Sequence, residues 1–229
     1  MVETERYFAT VVGGGRYVNA TRLRFEPEDA PEVMAEVRAL APRGIGAWST
    51  RRRELAAALV AAGGRDPEPP LLPWCTALAT DTPPPDAEGV EVRRVESLAD
   101  YLTALEIELA SSEYSEDARA RRRVEAEQSY ARRRSRPGSG DWLVYVDGRA
   151  VAMGSAMAGP RGLYLAGGAT LPDARGRGCY RALVRARWDY AVSLGTPALV
   201  VHAQETSRPI LERCGFTRVC TIYELEHDP

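Results

Sequence analysis

The chain has 229 residues, enough for one large or two small domains, and 45% are hydrophobic, so a sizeable core can form. The net charge of -2 gives no chain-wide field that would recruit nucleic acid or an anionic membrane surface. All 30 basic residues are arginine, which reads as the codon usage of a GC-rich genome and leaves no lysine side chain for self-acylation.

The four cysteines, Cys75, Cys179, Cys214 and Cys220, have no Cys-x-x-Cys spacing. With His202 and His227 the only histidines, no zinc site is expected, and the cysteines suit free thiols in a reducing cytoplasm. The start, Met1 to Arg6, is acidic and lacks an apolar signal core. No run is apolar for long enough to span a bilayer. The expected setting is the bacterial cytoplasm.

The first predicted strand is Tyr17 to Phe25. Pro31 to Leu40 follows as an amphipathic helix with proline in its first turn. Gly44 to Ser49 reads as a strand, Arg51 to Ala62 as a helix ended by Gly63-Gly64, and Trp74 to Thr80 as a strand. Thr82-Pro83-Pro84-Pro85-Asp86 is a stiff linker, which divides the chain into domains at 1–88 and 89–229.

Beyond the linker, Val90 to Val95 alternates at period two and predicts a strand. Ser97 and Asp100 form a capping-box pattern with a shorter acid, opening a helix that runs through Ala110. A second helix, rich in arginine and glutamate and largely solvated, covers Glu116 to Arg134. Asp141 to Val146 and Ala150 to Met157 predict a hairpin across Asp147-Gly148, and Gly162 to Leu171 the next strand.

The most informative segment is Ala174-Arg175-Gly176-Arg177-Gly178-Cys179-Tyr180-Arg181, between that strand and a helix from Ala182. Glycines let a backbone approach an anion, and the first N–H groups of a helix are unpaired and point outward. Arg175, Arg177 and Arg181 add positive charge. The plain alternative is a glycine-rich turn with solvated arginines, since Gly-x-Gly is common.

The pattern Arg-x-x-Gly-x-(Gly/Ala) after a strand ending in Ala-Thr-Leu-Pro resembles the acyl-CoA pyrophosphate loop of the GNAT superfamily of N-acyltransferases. Pro197 to Ala203, Thr206 to Phe216 and Arg218 to Leu225 are similar to that fold's next strand, short helix closing in a Gly-Phe turn, and last strand. The resemblance runs from about Val90 to the C-terminus. It implies an α/β fold with a mixed α+β sheet in the C-terminal domain. The smaller β-α-β-α-β N-terminal lobe looks like a degenerate GNAT half without the glycine loop, read either as a substrate-facing lobe or as cover for a sheet edge.

By this resemblance Arg175, Gly176, Arg177, Gly178, Cys179 and Tyr180 hold the pyrophosphate. Tyr180 stands in place of the loop's last glycine, its ring packing either on the cofactor or, as is commoner for a tyrosine there, under the sheet. Backbone groups at Gly168, Ala169, Thr170 and Leu171 meet the pantetheine arm and thioester, Gly167 and Gly168 mark a bulge or open room for substrate, and Gln204 and Ser207 contact the pantetheine amide. Family members carry an asparagine and, seven residues on, a tyrosine that protonates the leaving thiolate. Here those positions are Gln204 and Leu211, so no general acid is assigned. Tyr164, His202 and Glu106 are the candidates for proton transfer, His202 having the most suitable intrinsic pKa. Glu113 and Tyr114 face the acceptor by position.

The implied activity is an N-acyltransferase that passes acetyl from acetyl-CoA to a primary amine of a small molecule, by direct attack in a ternary complex and without metal. The neutral side chains near the thioester position suggest an uncharged or weakly charged amine, while Glu106 and Glu113 would favour a cationic one. No nucleic-acid or membrane partner is expected, and the protein is a monomer or homodimer. The alternative is a non-catalytic acyl-CoA-binding or sensing protein, suggested by the missing tyrosine. An unrelated phosphate-binding module ranks last, since there is no Walker lysine.

Overall fold

A computed structural model describes residues 1–67 and 71–228. The chain forms two compact units: one holds Met1–Ala77, Ala203–Glu205 and Val219–Pro229, the other Leu78–His202 and Thr206–Arg218. In chain order the first elements are β1 (Val2–Glu3), β2 (Phe8–Val12), β3 (Tyr17–Thr21), α1 (Ala30–Leu40), β4 (Ile45–Thr50), α2 (Arg53–Ala61) and β5 (Cys75–Thr80). Then come β6 (Glu91–Arg94), α3 (Leu98–Ser111), α4 (Glu116–Val124), α5 (Ala126–Arg134), β7 (Gly140–Val146), β8 (Arg149–Gly159) and β9 (Gly162–Thr170). The last are α6 (Cys179–Ser193), β10 (Leu199–Ala203), α7 (Arg208–Arg213) and β11 (Thr217–His227).

In the first unit the strands run in the order β1-β2-β3-β4-β11. The strand expected over Tyr17 to Phe25 is β3, which ends at Thr21, while β1 and β2, which complete a meander with it, were not expected from the sequence. The meander's second turn is Gly13-Gly14-Gly15, all at positive φ, where glycine carries no steric cost. β3 and β4 are parallel and joined through α1, and β11 lies antiparallel to β4. Val33, Met34 and Val37 of α1 and Leu55 and Leu59 of α2 share one core with Val18, Trp48 and Leu225. These helix positions recur every three to four residues, which builds the apolar stripe that faces the sheet.

Trp48 and His227 lock the last strand into this unit. The indole N–H donates to Nδ1 of His227 at 2.8 Å, and both residues are buried. A Cβ on Gly46 would fall 1.9 Å from Cε1 of His227, so the imidazole occupies the space that a side chain at 46 would need.

In the second unit β6, β7, β8 and β9 form an antiparallel meander, and β10 joins β9 in parallel. Asp147 and Gly148, at φ 52° and 77°, make the tight turn expected between β7 and β8. Side chains alternate across a strand, and the packing follows that alternation. Met153 of β8 and Ala169 of β9 pack with α3, through Tyr101, Leu105 and Leu109. The neighbouring Gly154 and Gly168 instead meet α6, through Arg187 and Tyr180. One sheet thus separates α3 from α6. The capping box of Ser97 and Asp100 is present, with Asp100 N–H on Ser97 Oγ at 3.1 Å and Ser97 N–H on the carboxylate at 3.1 Å. The single helix expected over Glu116 to Arg134 is broken at Glu125, and Ala126 at the break is buried against α3. The Pro-rich segment before β6 has no regular structure, and Arg185 of α6 donates to Pro84 O at 3.3 Å and to Asp86 at 2.5 Å.

Burial holds the His227 imidazole below its ordinary pKa, Arg38 adds to the lowering, and Asp228 opposes it. The unfolded chain therefore takes up a proton near pH 6.5 that the folded chain refuses until lower pH. Stability is expected to fall as pH drops below about 6.5. His227→Gln, which keeps an acceptor for Trp48, should flatten that decline in urea melts run from neutral to mildly acidic pH.

Candidate active site

The loop between β9 and α6 is shaped by its glycines. A 3-10 turn at Pro172–Ala174 leads into Arg175, and Gly176 and Gly178 adopt φ of 78° and 81°. Gly178 is the N-cap of α6 and offers no side-chain oxygen, so the first-turn N–H groups keep no capping partner. No acidic residue lies in that first turn, while Arg175, Arg177 and Arg181 are exposed around it. Arg177 reaches Asp147 at 3.1 Å, a solvated pair of small energetic weight. Cys179 and Tyr180 turn inward. The Cys179 thiol is buried and points to Ala174 O at 3.8 Å, and burial pushes its pKa up. The Tyr180 ring lies against β9, where a Cβ on Gly168 would come within 2.9 Å of it. Gly168 is therefore the space filled by Tyr180.

A bulge interrupts β9 just above this loop. Ser155 pairs with Gly167 and Ala156 with Leu165, so Ala166 is the extra residue, and Gly167 takes φ 154°. Arg187 of α6 supports the bulge from behind. It has no solvent exposure, and its Nη1 donates to Gly167 O at 2.9 Å and Ser155 O at 3.2 Å, while Nε donates to Leu183 O at 2.9 Å. Burial lowers the Arg187 pKa, and the adjoining Tyr180 phenol opposes that shift.

The edge of β9 opens on its other side. Among the described residues, β10 pairs with β9 only at Leu199↔Leu163 and Val200↔Tyr164. Leu171 N–H donates to Val151 O of β8 at 2.9 Å. By strand alternation Ala169 also points its N–H toward β8, and Gly168 and Thr170 turn theirs toward the side where β10 has diverged. At the mouth of that opening the Tyr164 and His202 rings meet edge to face, with centroids 5.3 Å apart. His202 keeps an exposed edge, yet desolvation holds its pKa below the ordinary imidazole value.

On the α3 side, a cavity of about 410 Å³ reaches the bulge residue Ala166. Tyr101, Leu105 and Glu108 of α3, Arg133 of α5 and Ala156 of β8 line it. Two polar clusters build its walls. Arg133 donates to Asp141 at 2.7 Å and to Ser155 Oγ at 2.9 Å, and Ser155 Oγ donates to Asp141 at 2.5 Å. Arg122 donates to Glu108 at 2.6 Å and stacks over Tyr114, whose hydroxyl donates to Glu108 at 3.2 Å. Arg119 fixes the segment between α3 and α4 by donating to Leu109 O at 2.6 Å, Ser112 O at 2.9 Å and Tyr114 O at 3.0 Å. That clamp satisfies carbonyls at the end of α3 and orders Glu113 and Tyr114.

The residues singled out from sequence divide between these places. Arg175 to Tyr180 form the loop, and Gly167 to Leu171 the bulge and strand above it. Tyr114 flanks the cavity through Glu108, while Glu113 is exposed. Glu106 does not line this cavity. It borders a shallower depression with Leu102, Thr103 and Leu171, and Arg123 holds it through two bonds of 2.8 and 2.9 Å that depress its pKa. Ser207 is the N-cap of α7, and Gln204, exposed, belongs to the first compact unit. Leu211 is fully buried. Sequence reasoning missed Glu108, Arg133, Asp141, Ser155 and Arg187. Arg187 sits four residues beyond Leu183 on the face of α6 that also carries Val184 and Ala191, so its position on an apolar stripe was the available signal.

Residues 103–216 match the model of the acetyltransferase (GNAT) family. Among solved structures, the chain is similar to a GCN5-related N-acetyltransferase from Kribbella flavida, with a TM-score of 0.67 and 19% identity over 93% of this chain and 81% of that one. It is similar to a tandem GNAT protein from the clavulanic acid biosynthesis pathway, with a TM-score of 0.65 and 14% identity over 96% and 77%. A conserved protein of unknown function from Staphylococcus epidermidis shares the fold at a TM-score of 0.69 and 10% identity, over 100% and 93%. At these identities the likeness is one of fold. No protein of curated function matches the sequence.

Replacing Arg187 by methionine keeps the volume but strands the carbonyls of Gly167 and Ser155. Arg187→Met is expected to cost about 2 kcal/mol, the scale of buried acceptors left unsatisfied, as read by urea unfolding.

Proposed function

Since the chain belongs to the GNAT acetyltransferase family by its domain at residues 103–216, we propose that it transfers acetyl from acetyl-CoA to the primary amine of a small molecule, by direct attack in a ternary complex. The observation that carries this reading is the loop at Arg175 to Tyr180. Two glycines at positive φ expose the uncapped start of α6, and exposed arginines surround it. That donor set suits a pyrophosphate, whose charge the helix start and guanidinium groups both favour.

From there the opened edge of β9 offers Gly168 and Thr170 backbone groups to a pantetheine arm, a chain with amides of its own. The arm's acyl end would then come to the bulge at Ala166 and Gly167. Donors fixed at the carbonyl of a thioester stabilise the oxyanion as the amine attacks, and the bulge is held rigid by Arg187. Acetyl-CoA supplies the activated acyl group and a thiolate that leaves readily.

The attacking amine must lose a proton. His202 is the best suited of the three candidates, because its lowered pKa keeps the imidazole neutral near pH 7. Tyr164, in edge contact with His202, is a weaker acceptor at that pH. Glu106 is ion-paired to Arg123 and its depressed pKa makes it a poor base. Leu211, at the position where relatives place a proton donor, is fully buried and has no proton to give. That residue is the observation that favours a second reading, an acyl-CoA-binding protein without turnover.

Thiol release from acetyl-CoA across a panel of amines separates the two: turnover supports transfer, and tight binding without it supports the second reading. Gly178→Asp places a carboxylate at the phosphate cradle and is expected to weaken coenzyme A binding by about 2 kcal/mol, or ~30-fold, in calorimetry. Unchanged affinity would remove the cradle from this place. Turnover should rise with pH through an inflection below 6.5, the ordinary imidazole value, and His202→Gln should abolish that limb. An inflection that persists in the variant would assign the base elsewhere.

A further inference from the structure

We infer that the acceptor amine also carries an anionic group, a carboxylate in the first instance, which Arg132 and Arg136 receive in the cavity beside the bulge; this rests on the acyl-transfer reading above. The acceptor would then be an amino acid or a close relative, not a diamine or a neutral amino sugar.

The argument is one of charge accounting within the cavity. Four guanidinium groups line it, those of Arg122, Arg132, Arg133 and Arg136, against the two carboxylates of Glu108 and Glu125. Arg122 is committed to Glu108 at 2.6 Å, and Arg133 to Asp141 at 2.7 Å. Arg132 bonds only the Ser129 hydroxyl, at 2.9 Å, and Arg136 only the Met157 thioether, at 3.7 Å, among the described residues. Neither has a carboxylate partner, and both are exposed to the cavity. Glu125 lines the wall as one opposing charge, so the lining stays net positive. An adjoining hollow of about 200 Å³, lined by Arg94, Arg134 and Arg136, extends the positive surface.

Arginines in the last turn of a helix also complement its dipole, and Arg132 to Arg134 do so for α5. That role does not account for Arg136, which lies beyond the helix end at Arg134 and turns back onto the same cavity. Two planar donor forks four residues apart suit a carboxylate or a phosphate, because each accepts paired N–H bonds. The cavity also reaches Ala166, so an anion at the arginines and an amine at the bulge can belong to one small molecule. A polycation entering here would meet like charge.

The test compares matched acceptors in acetyl-CoA turnover: amino acids against their amides, O-phosphoethanolamine against ethanolamine, and putrescine as a cation. The amino acids should exceed their amides by about tenfold or more in kcat/KM, the scale of a charged hydrogen-bonded contact. If the phosphate compound leads instead, the anion site stands and its occupant is phosphate. The double variant Arg132→Gln/Arg136→Gln should raise KM for the acid by about tenfold and bring acid and amide to parity. Coenzyme A affinity by calorimetry should not move, since the loop at Arg175 to Tyr180 is untouched. Preference for amides or putrescine, or an unaltered KM for the acid in the variant, would overturn the proposal. Should no amine turn over while coenzyme A still binds, acyl transfer fails but the anion site is still read. Calorimetry of acid and amide on the coenzyme A-saturated protein then decides, and equal binding of the two would overturn it.

Discussion

A guanidinium with no access to water stands behind the central strand of the second unit, and the candidate site depends on it. Fully burying a charge is costly unless hydrogen bonds replace its hydration. Arg187 is placed where backbone carbonyls are in need of donors: the bulge at Ala166 disrupts the ladder, and the guanidinium bonds Ser155 O and Gly167 O on the two strands that flank the disruption. The bulge supplies acceptors to the arginine, and the arginine fixes the bulge. Gly154 has to be small for the same reason, since a Cβ there would meet the guanidinium carbon at 3.2 Å.

Ser155 links this support to the other face of the sheet. Its carbonyl is held by Arg187 of α6, and its hydroxyl joins Asp141 and Arg133 on the α5 side. A single residue of β8 thereby couples the bulged strand β9 to the wall of the cavity beside it. Arg133, committed to Asp141 and Ser155, is structural, and it leaves Arg132 and Arg136 as the positive groups that face open space. On the acyl-transfer reading, the half of the site proposed for pyrophosphate and the half proposed for the acceptor use arginine in two ways: solvated around a helix start, and bonded into the frame.

The sequence was most legible where geometry is local. The glycine loop, the Ser97 capping box and the Asp147-Gly148 turn each demand particular residues at fixed spacing, and each is present in the structure. The family resemblance carried the order of strands and helices in the second unit. Long-range bonds left no such signature. Asp141 meets Arg133 and Ser155 only because β7 and β8 are paired and α5 lies over them, and nothing in Asp141-Trp142-Leu143 announces a buried acid. The Glu116 to Arg134 stretch looked like one solvated helix because its composition is charged throughout. Its arginines in fact clamp the chain around Tyr114 and line the cavity. The N-terminal hairpin escaped notice because Val2–Glu3 and Phe8–Val12 are short, and their pairing partners lie across turns that periodicity does not weigh.

The position of Leu211 follows from the same competition between packing and chemistry. α7 is six residues long, too short to be stable alone, and it is held by what it buries. Leu211 contributes its whole side chain to that burial, with Cys214 and Phe216 beside it, and Leu211 O accepts the Phe216 N–H at 3.1 Å as Gly215 turns the chain at φ 90°. A phenol at 211 would have to leave that core to reach a thiolate, and α7 would lose its main apolar contact. On the acyl-transfer reading the chain therefore gives up a dedicated proton donor and relies on a leaving group that departs as an anion. The burden of catalysis then falls on positioning and on the carbonyl oxygen, which is where the structure invests its rigidity: at a bulge braced by a buried charge.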